Sequence, residues 1–158
     1  MQLGDLELHL LVTDHWKADG GLMFGVVPRV LWEKQKPPDG NNMIDCACVC
    51  LIARKNGRVI VCETGIGNKL SEKRARQVAL REPEGMLHAL RRLGITPDEV
   101  DAVVTTHLHW DHAGGLTRRD ENGEVELTFK KARHFIFVDD PTFFFGALDG
   151  VLGKPVAK

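Results

Sequence analysis

Apolar and polar residues alternate over Leu6-Glu7-Leu8-His9-Leu10 and then run on through Leu11-Val12. This period of two predicts an opening β-strand. Gly20-Gly21 reads as a turn, and Leu22 to Val27 as a short second strand. Lys36 to Asn42 has the composition of a loop. Two apolar runs, Ala47 to Arg54 and Arg58 to Cys62, flank Lys55-Asn56-Gly57, and Asn-Gly between such runs predicts a β-hairpin. Ser71 to Arg81 has a polar, helical pattern. Pro83 to Leu93 predicts an amphipathic helix with Met86, Leu87, Leu90 and Leu93 on one stripe, Pro83 near its start and Gly94 past its end. His88 lies beside that stripe and reads as structural.

Thr96-Pro97-Asp98-Glu99 has capping-box spacing with Pro at the first helical position, which predicts a brief helix. Asp101 to Thr106 should be a strand. Asn122-Gly123 suggests a second hairpin, joining a segment before Arg118 to Glu124–Phe129, and Arg133 to Val138 reads as a last strand. From Asp139 the pattern loosens into a tail that carries Phe143-Phe144-Phe145. Strands interleaved with helices predict an α/β domain over 1–138 and a divergent segment over 139–158.

A chain of 158 residues is sized for one domain with a real core. Its net charge of −1 offers no footprint for nucleic acid or an acidic membrane. No apolar run approaches the length of a membrane span, and Met1 to Asp5 lacks the character of a secretory signal, so the expected address is cytoplasmic. Cys46, Cys48 and Cys50 alternate and so share one strand face. Their neighbour-to-neighbour spacing of about 7 Å suits neither a disulfide nor chelation, and buried thiols are the favoured reading.

Candidate chemistry concentrates in Thr105-Thr106-His107-Leu108-His109-Trp110-Asp111-His112-Ala113-Gly114-Gly115. Three of the seven histidines and an aspartate fall within six positions, directly after the apolar run Ala102-Val103-Val104. A strand that stops and releases four donors into a tight loop can aim them at one small volume. Imidazole nitrogen and carboxylate oxygen are ligands for zinc, and also suit iron or manganese. Phe24 and Trp110 are either core residues or walls of an apolar substrate pocket. Asp14 and His15 read as solvated residues near a strand end, and Gly65-Ile66-Gly67 as a close backbone approach to the metal loop.

His107-Leu108-His109-Trp110-Asp111-His112 resembles the HxHxDH signature of the metallo-β-lactamase superfamily of hydrolases. Val59-Ile60-Val61-Cys62-Glu63-Thr64-Gly65 is similar to that superfamily's strand-plus-Asp-Thr-Gly segment, with Glu63 in the place of Asp. Gly20 to Pro28 with Leu31-Trp32 resembles the start of the lactonase-like branch. The resemblance implies an αββα sandwich, of which this chain looks like the N-terminal half: one mixed sheet with helices on one face. It implies two zinc ions, His107 and His109 facing one, Asp111 and His112 the other. Asp111 is then the catalytic residue that orients a metal-bound hydroxide for attack on a small-molecule lactone, ester or phosphoester.

The resemblance also makes Glu63 a partner for a ligand's second N–H, with its extra methylene expected to displace that support. The family's later ligands have no counterpart downstream of His112, where His134 is the last histidine. The third ligand per ion is therefore sought at His134, His9, His15, Cys62 or a second chain. The absence of tyrosine excludes a tyrosine proton donor within the chain. The competing expectation is an inactive, truncated metal-binding or interaction module. Either way, a half-sandwich would expose an apolar sheet face, and the chain is expected either to dimerise sheet to sheet through it or to aggregate.

Overall fold

The computed structural model describes residues 1–81 and 85–136. β1 (Gln2–Leu3) leads into the long β2 (Leu6–Asp19), followed by two short helices, α1 (Gly20–Phe24) and α2 (Arg29–Trp32). β3 (Met43–Lys55) and β4 (Arg58–Cys62) form the expected hairpin. Its two turn residues, Asn56 (φ 51°) and Gly57 (φ 74°), both adopt the positive φ that a tight two-residue hairpin turn needs. α3 (Glu72–Gln77) and α4 (Gly85–Arg92) precede a single 3-10 turn at Pro97–Glu99 and then β5 (Ala102–Thr105). α5 (Trp110–Ala113), a 3-10 turn at Gly114–Leu116, β6 (Thr117–Arg119), β7 (Val125–Leu127) and β8 (Arg133–Ile136) complete the described residues.

The main sheet has the order β1-β2-β3-β4-β5-β8. Its first three ladders are antiparallel, while β4/β5 and β5/β8 are parallel, so the sheet is mixed. β6 and β7 form a separate two-stranded ribbon. Cys50, Ile52, Val59, Val61 and Val103 point to one face of the main sheet and pack against Met86 and Leu90 of α4, with Phe129 completing the cluster. Fully burying Leu90 contributes about 1.5–3 kcal/mol. A second cluster on that side joins Trp16, Ile44, Cys48 and Trp32. The helices therefore lie on the cysteine-row face, and Cys48 and Cys50 are buried as free thiols.

The opposite face is only partly covered. Ala53, Ile60, Ala102 and Val104 are buried there, but Leu10, Val12 and Val49 are 64%, 50% and 52% exposed. Leu10 pairs with Leu51 and Val12 with Val49 across β2 and β3, so these side chains form one continuous apolar patch.

Three expectations require correction. Leu22 to Val27 is not a strand: Asp19 accepts a hydrogen bond from Leu22 N and caps α1, and Gly20 sits against the Trp32 indole. Asp14 and His15 are not loop residues; they lie inside β2, at a register shift between Val12 and Asp14, and Asp14 is buried. His88 is exposed rather than structural. The capping box at Thr96 is formed, although it starts a 3-10 turn rather than an α-helix. Pro83, the end of the last predicted strand at Val138, the segment 139–158 and its Phe143-Phe144-Phe145 lie outside the described residues.

Candidate metal centre

β5 is entirely buried, flanked by β4 and β8, and it ends at Thr105. The chain then leaves the sheet through His107-Leu108-His109 and enters α5 at Trp110. Four backbone and side-chain ties fix where that segment lands. Thr64 N and Thr64 Oγ1 both donate to the carbonyl of His112, each at 2.9 Å. Gly115 N donates to Gly65 O at 3.1 Å, and Gly65 also bridges to Ala113. The contact is too close for side chains: a Cβ on Gly114 would stand 2.1 Å from Ile66 O, and one on Gly65 (φ 69°) 2.1 Å from Asp14 Oδ2. The sequence expectation that Gly65-Ile66-Gly67 marks a close backbone approach is met in this contact.

Within the loop the donor atoms fall into two pairs. His107 Nε2 lies 3.0 Å from His109 Nδ1, and His112 Nε2 lies 3.6 Å from Asp111 Oδ2. The two pairs adjoin, since the His107 and His112 rings are 4.2 Å apart between centroids. Two ligand atoms on one tetrahedral zinc ion, each about 2.0–2.1 Å from it, are about 3.3–3.4 Å apart. Both separations are close to that value. Thr106 Oγ1, 2.9 Å from His107 Nδ1, can accept the N–H of that nitrogen and leave the Nε2 lone pair facing His109. Two imidazole lone pairs at 3.0 Å repel unless a proton or a metal ion lies between them. The types of donor and their nearness suit metal ions, and the 3.0 Å His107–His109 separation equally accommodates a hydrogen bond between the two rings.

Glu63 supplies the orienting contact. Its Oε1 accepts from Thr106 N at 2.9 Å, and its Oε2 from His112 Nδ1 at 3.2 Å. A carboxylate facing Nδ1 requires the N–H there, which leaves the Nε2 lone pair on the side of Asp111. The extra methylene of Glu63 was expected to displace this support; instead one carboxylate spans both partners. Glu63 also holds φ 64°, a left-handed conformation unusual for glutamate that costs roughly 1 kcal/mol. That strain sits where the side chain is aimed at His112, one of the candidate ligands.

Among the described residues no three His, Cys, Asp or Glu side chains converge on one ion position. Of the candidate third ligands, the side chains of His9, His134 and Cys62 are engaged elsewhere. His9 Nε2 contacts Glu7 at 2.8 Å, His134 Nε2 contacts Phe129 O at 3.1 Å, and Cys62 packs in the apolar cluster of Ala53, Ile60 and Val104. His15 is exposed on β2, its carbonyl accepting from Arg81 N at 2.8 Å. Burial raises the thiol of Cys62 to about 11 and that of Cys50 to about 12, so both are neutral at physiological pH.

Trp110 packs edge-to-face on Trp16 with centroids 4.8 Å apart, and the Arg74 guanidinium lies 5.9 Å from its ring. With Leu22, Met43 and Val78 these residues line a groove of about 290 Å³ beside the loop. Phe24 stacks on Trp32 at 4.7 Å and belongs to the core cluster there. A second, water-sized space of about 60 Å³ lies between residues 47–50 of β3 and Glu63, Asp111 and His112. Asp14 was missed as a functional support. Its Oδ2 accepts from Thr13 Oγ1 (2.8 Å) and Ile66 N (3.2 Å), tying the irregularity in β2 to the segment under the loop. The interruption of apolar alternation at Thr13-Asp14 is the signal that was available.

A mixed sheet with helices on one face, and a cluster of His and Asp donors just past the end of an interior strand, defines the class of α/β fold. The chain belongs to the metallo-beta-lactamase superfamily, whose profile matches residues 43–126. Its fold superposes on a probable metal-dependent hydrolase from Staphylococcus aureus with a TM-score of 0.75 and 37% identity, covering 85% of this chain and 47% of that one. It is similar to AidC, a dizinc quorum-quenching lactonase, with a TM-score of 0.62 and 25% identity over 87% of this chain and 43% of that one. It is 38% identical over 79 residues to the anti-Pycsar protein Apyc1 of Saccharibacillus brassicae, across 44% of this chain and 31% of that protein. The chain thus spans less than half the length of these relatives.

Proposed function

We propose that this chain carries the metal loop of a metal-dependent hydrolase acting on a small-molecule lactone, ester or phosphoester, nearest in kind to the lactonase-like members. The observation that carries this reading is the pairing of donors: His107 Nε2 with His109 Nδ1, and Asp111 Oδ2 with His112 Nε2. His107 and His109 would hold one zinc ion, Asp111 and His112 a second. Completion of each shell by ligands from outside the described residues is part of the reading. Bound zinc lowers the pKa of a coordinated water to about 7 and polarises a carbonyl or phosphoryl oxygen.

The chain's own residues set the stage for that chemistry. Glu63 fixes the His112 tautomer and, through Thr106 N, the end of β5. Asp111, held on α5 beside His112, presents a carboxylate that can both bind and accept a proton. His109 is exposed and His107 partly so, which leaves the pairs open to an incoming substrate. Trp110 offers the apolar wall of the adjoining groove, which can seat one ring or a short acyl chain. Free, buried cysteines suit a reducing, cytoplasmic setting, and no described helix is long and apolar enough to cross a membrane.

The test is turnover of a γ-lactone, a p-nitrophenyl ester and bis(p-nitrophenyl) phosphate by the zinc-loaded chain, with Asp111→Ala as control. Hydrolysis of at least one that depends on both zinc and Asp111 supports the reading. Tight zinc binding without any turnover contradicts it and leaves a metal-binding interaction module.

A further inference from the structure

Lys69 lies outside the ligand motif, on the segment that underlies it. Its Nζ donates to the carbonyl of Gly114, which opens the turn that follows α5, and to that of Thr117, which comes just after the turn. The side chain is partly buried; burial, and after it the nearby Arg119, lowers its pKa from the ordinary lysine value. An ammonium placed there has to be satisfied by other polar groups, and the two carbonyls do so. Its neighbour Asn68 extends the grip: Nδ2 donates to Arg119 O at 3.3 Å, and Oδ1 accepts from Arg119 N at 3.0 Å. Within α5 itself, Thr64 holds the carbonyl of His112. The segment that bears Asp111 and His112 is thus fastened at His112 itself and again just behind α5, and Lys69 is the charged fastening behind.

We infer that Lys69 is a positioning residue: its ammonium, lodged between the Gly114 and Thr117 carbonyls, holds α5 so that Asp111 and His112 present their donor atoms to one ion. The inference rests on the metal-hydrolase reading above. It explains why a lysine, rather than an apolar residue, fills a partly buried position with no carboxylate partner in the described ion pairs. Replacement by methionine keeps the stem and removes three donors, freeing two carbonyls and the turn they belong to. Arginine can still bridge two carbonyls.

Zinc affinity is read by competition with a chromophoric chelator for the full chain, Lys69→Met and Lys69→Arg, with thermal melting of each metal-free protein as a folding check. Lys69→Met should bind the zinc held by Asp111 and His112 about 10-fold or more weakly, and Lys69→Arg should recover most of that loss. The visible absorption of bound cobalt(II) should change with Lys69→Met and return with Lys69→Arg. A folded Lys69→Met with unchanged affinity and cobalt spectrum overturns the inference alone. A wild-type chain that binds no zinc overturns the metal reading itself. Should Lys69→Met fail to fold, the wild-type ammonium decides: a slowly exchanging Lys69 ¹⁵Nζ signal coupled to both carbonyls supports the clamp, and a freely averaging one refutes it.

Discussion

Glu63→Gln is the sharpest single-atom perturbation of this site. Glutamine keeps the length and one oxygen, so Thr106 N, now 2.9 Å from Oε1, can retain its acceptor. The amide nitrogen then faces His112 Nδ1, 3.2 Å from the present Oε2. Two donors cannot share that contact, so the imidazole proton must move to Nε2, the nitrogen beside Asp111 Oδ2. A protonated Nε2 is no ligand. The Glu63 side chain is only 13% exposed, so water screens the lost charge poorly. Disruption of such an outer partner typically weakens metal binding about 10–100-fold, equivalent to about 1.4–2.7 kcal/mol. Replacing a charged acceptor with a neutral one should also reduce the stability of the metal-free fold, by on the order of 1 kcal/mol. Competition titration against a zinc chelator gives the first quantity and chemical denaturation the second. A Glu63→Gln protein that binds zinc within twofold of wild type would refute the tautomer argument.

Other consequences follow from the same geometry. Gly114→Ala places a methyl group against Ile66 O and should cost roughly 2–3 kcal/mol of stability, read as a lower denaturation midpoint; an unchanged midpoint would show that the loop does not rest on that segment. Burial raises the Cys50 and Cys62 thiols to about 12 and about 11 from an ordinary value of 9.0. The folded state therefore keeps these protons longer than the unfolded chain, and stability should fall as pH rises from about 9 toward 11, by up to about 1.4 kcal/mol per pH unit per thiol. Denaturation curves that are flat across that window would contradict the burial. Replacing the exposed face with Leu10→Ser, Val12→Thr and Val49→Thr should reduce self-association seen by sedimentation velocity, and identical sedimentation of both proteins would remove that face as a pairing surface.

Local signals carried much of this fold. Asn56-Gly57 fixes its hairpin because both residues accept positive φ, and the stripe of α4 is legible because Met86 and Leu90 recur at helical spacing. The buried run into β5 and the donor cluster after it are contiguous in sequence, so the candidate site could be named before any packing was known. What stayed hidden depends on contacts between distant segments. α1 forms because Asp19 caps it and Trp32 covers Gly20, whereas Leu22 to Val27 taken alone has strand composition. Asp14 is buried because a register shift turns it toward Ile66 N, a partner 52 residues away. Lys69 looks like any surface lysine until Gly114 and Thr117 are folded onto it. The reach of Glu63 depends on its left-handed backbone, which no residue pattern announces.

Zinc content shows most directly whether the loop binds metal through its paired donors. The full chain, dialysed against micromolar zinc and then against metal-free buffer, should retain zinc by plasma mass spectrometry. His109→Ala combined with Asp111→Ala takes one donor from each pair and should abolish retention while the protein remains folded by circular dichroism. Equal zinc content in the double variant and the wild type would place the metal elsewhere and contradict the account.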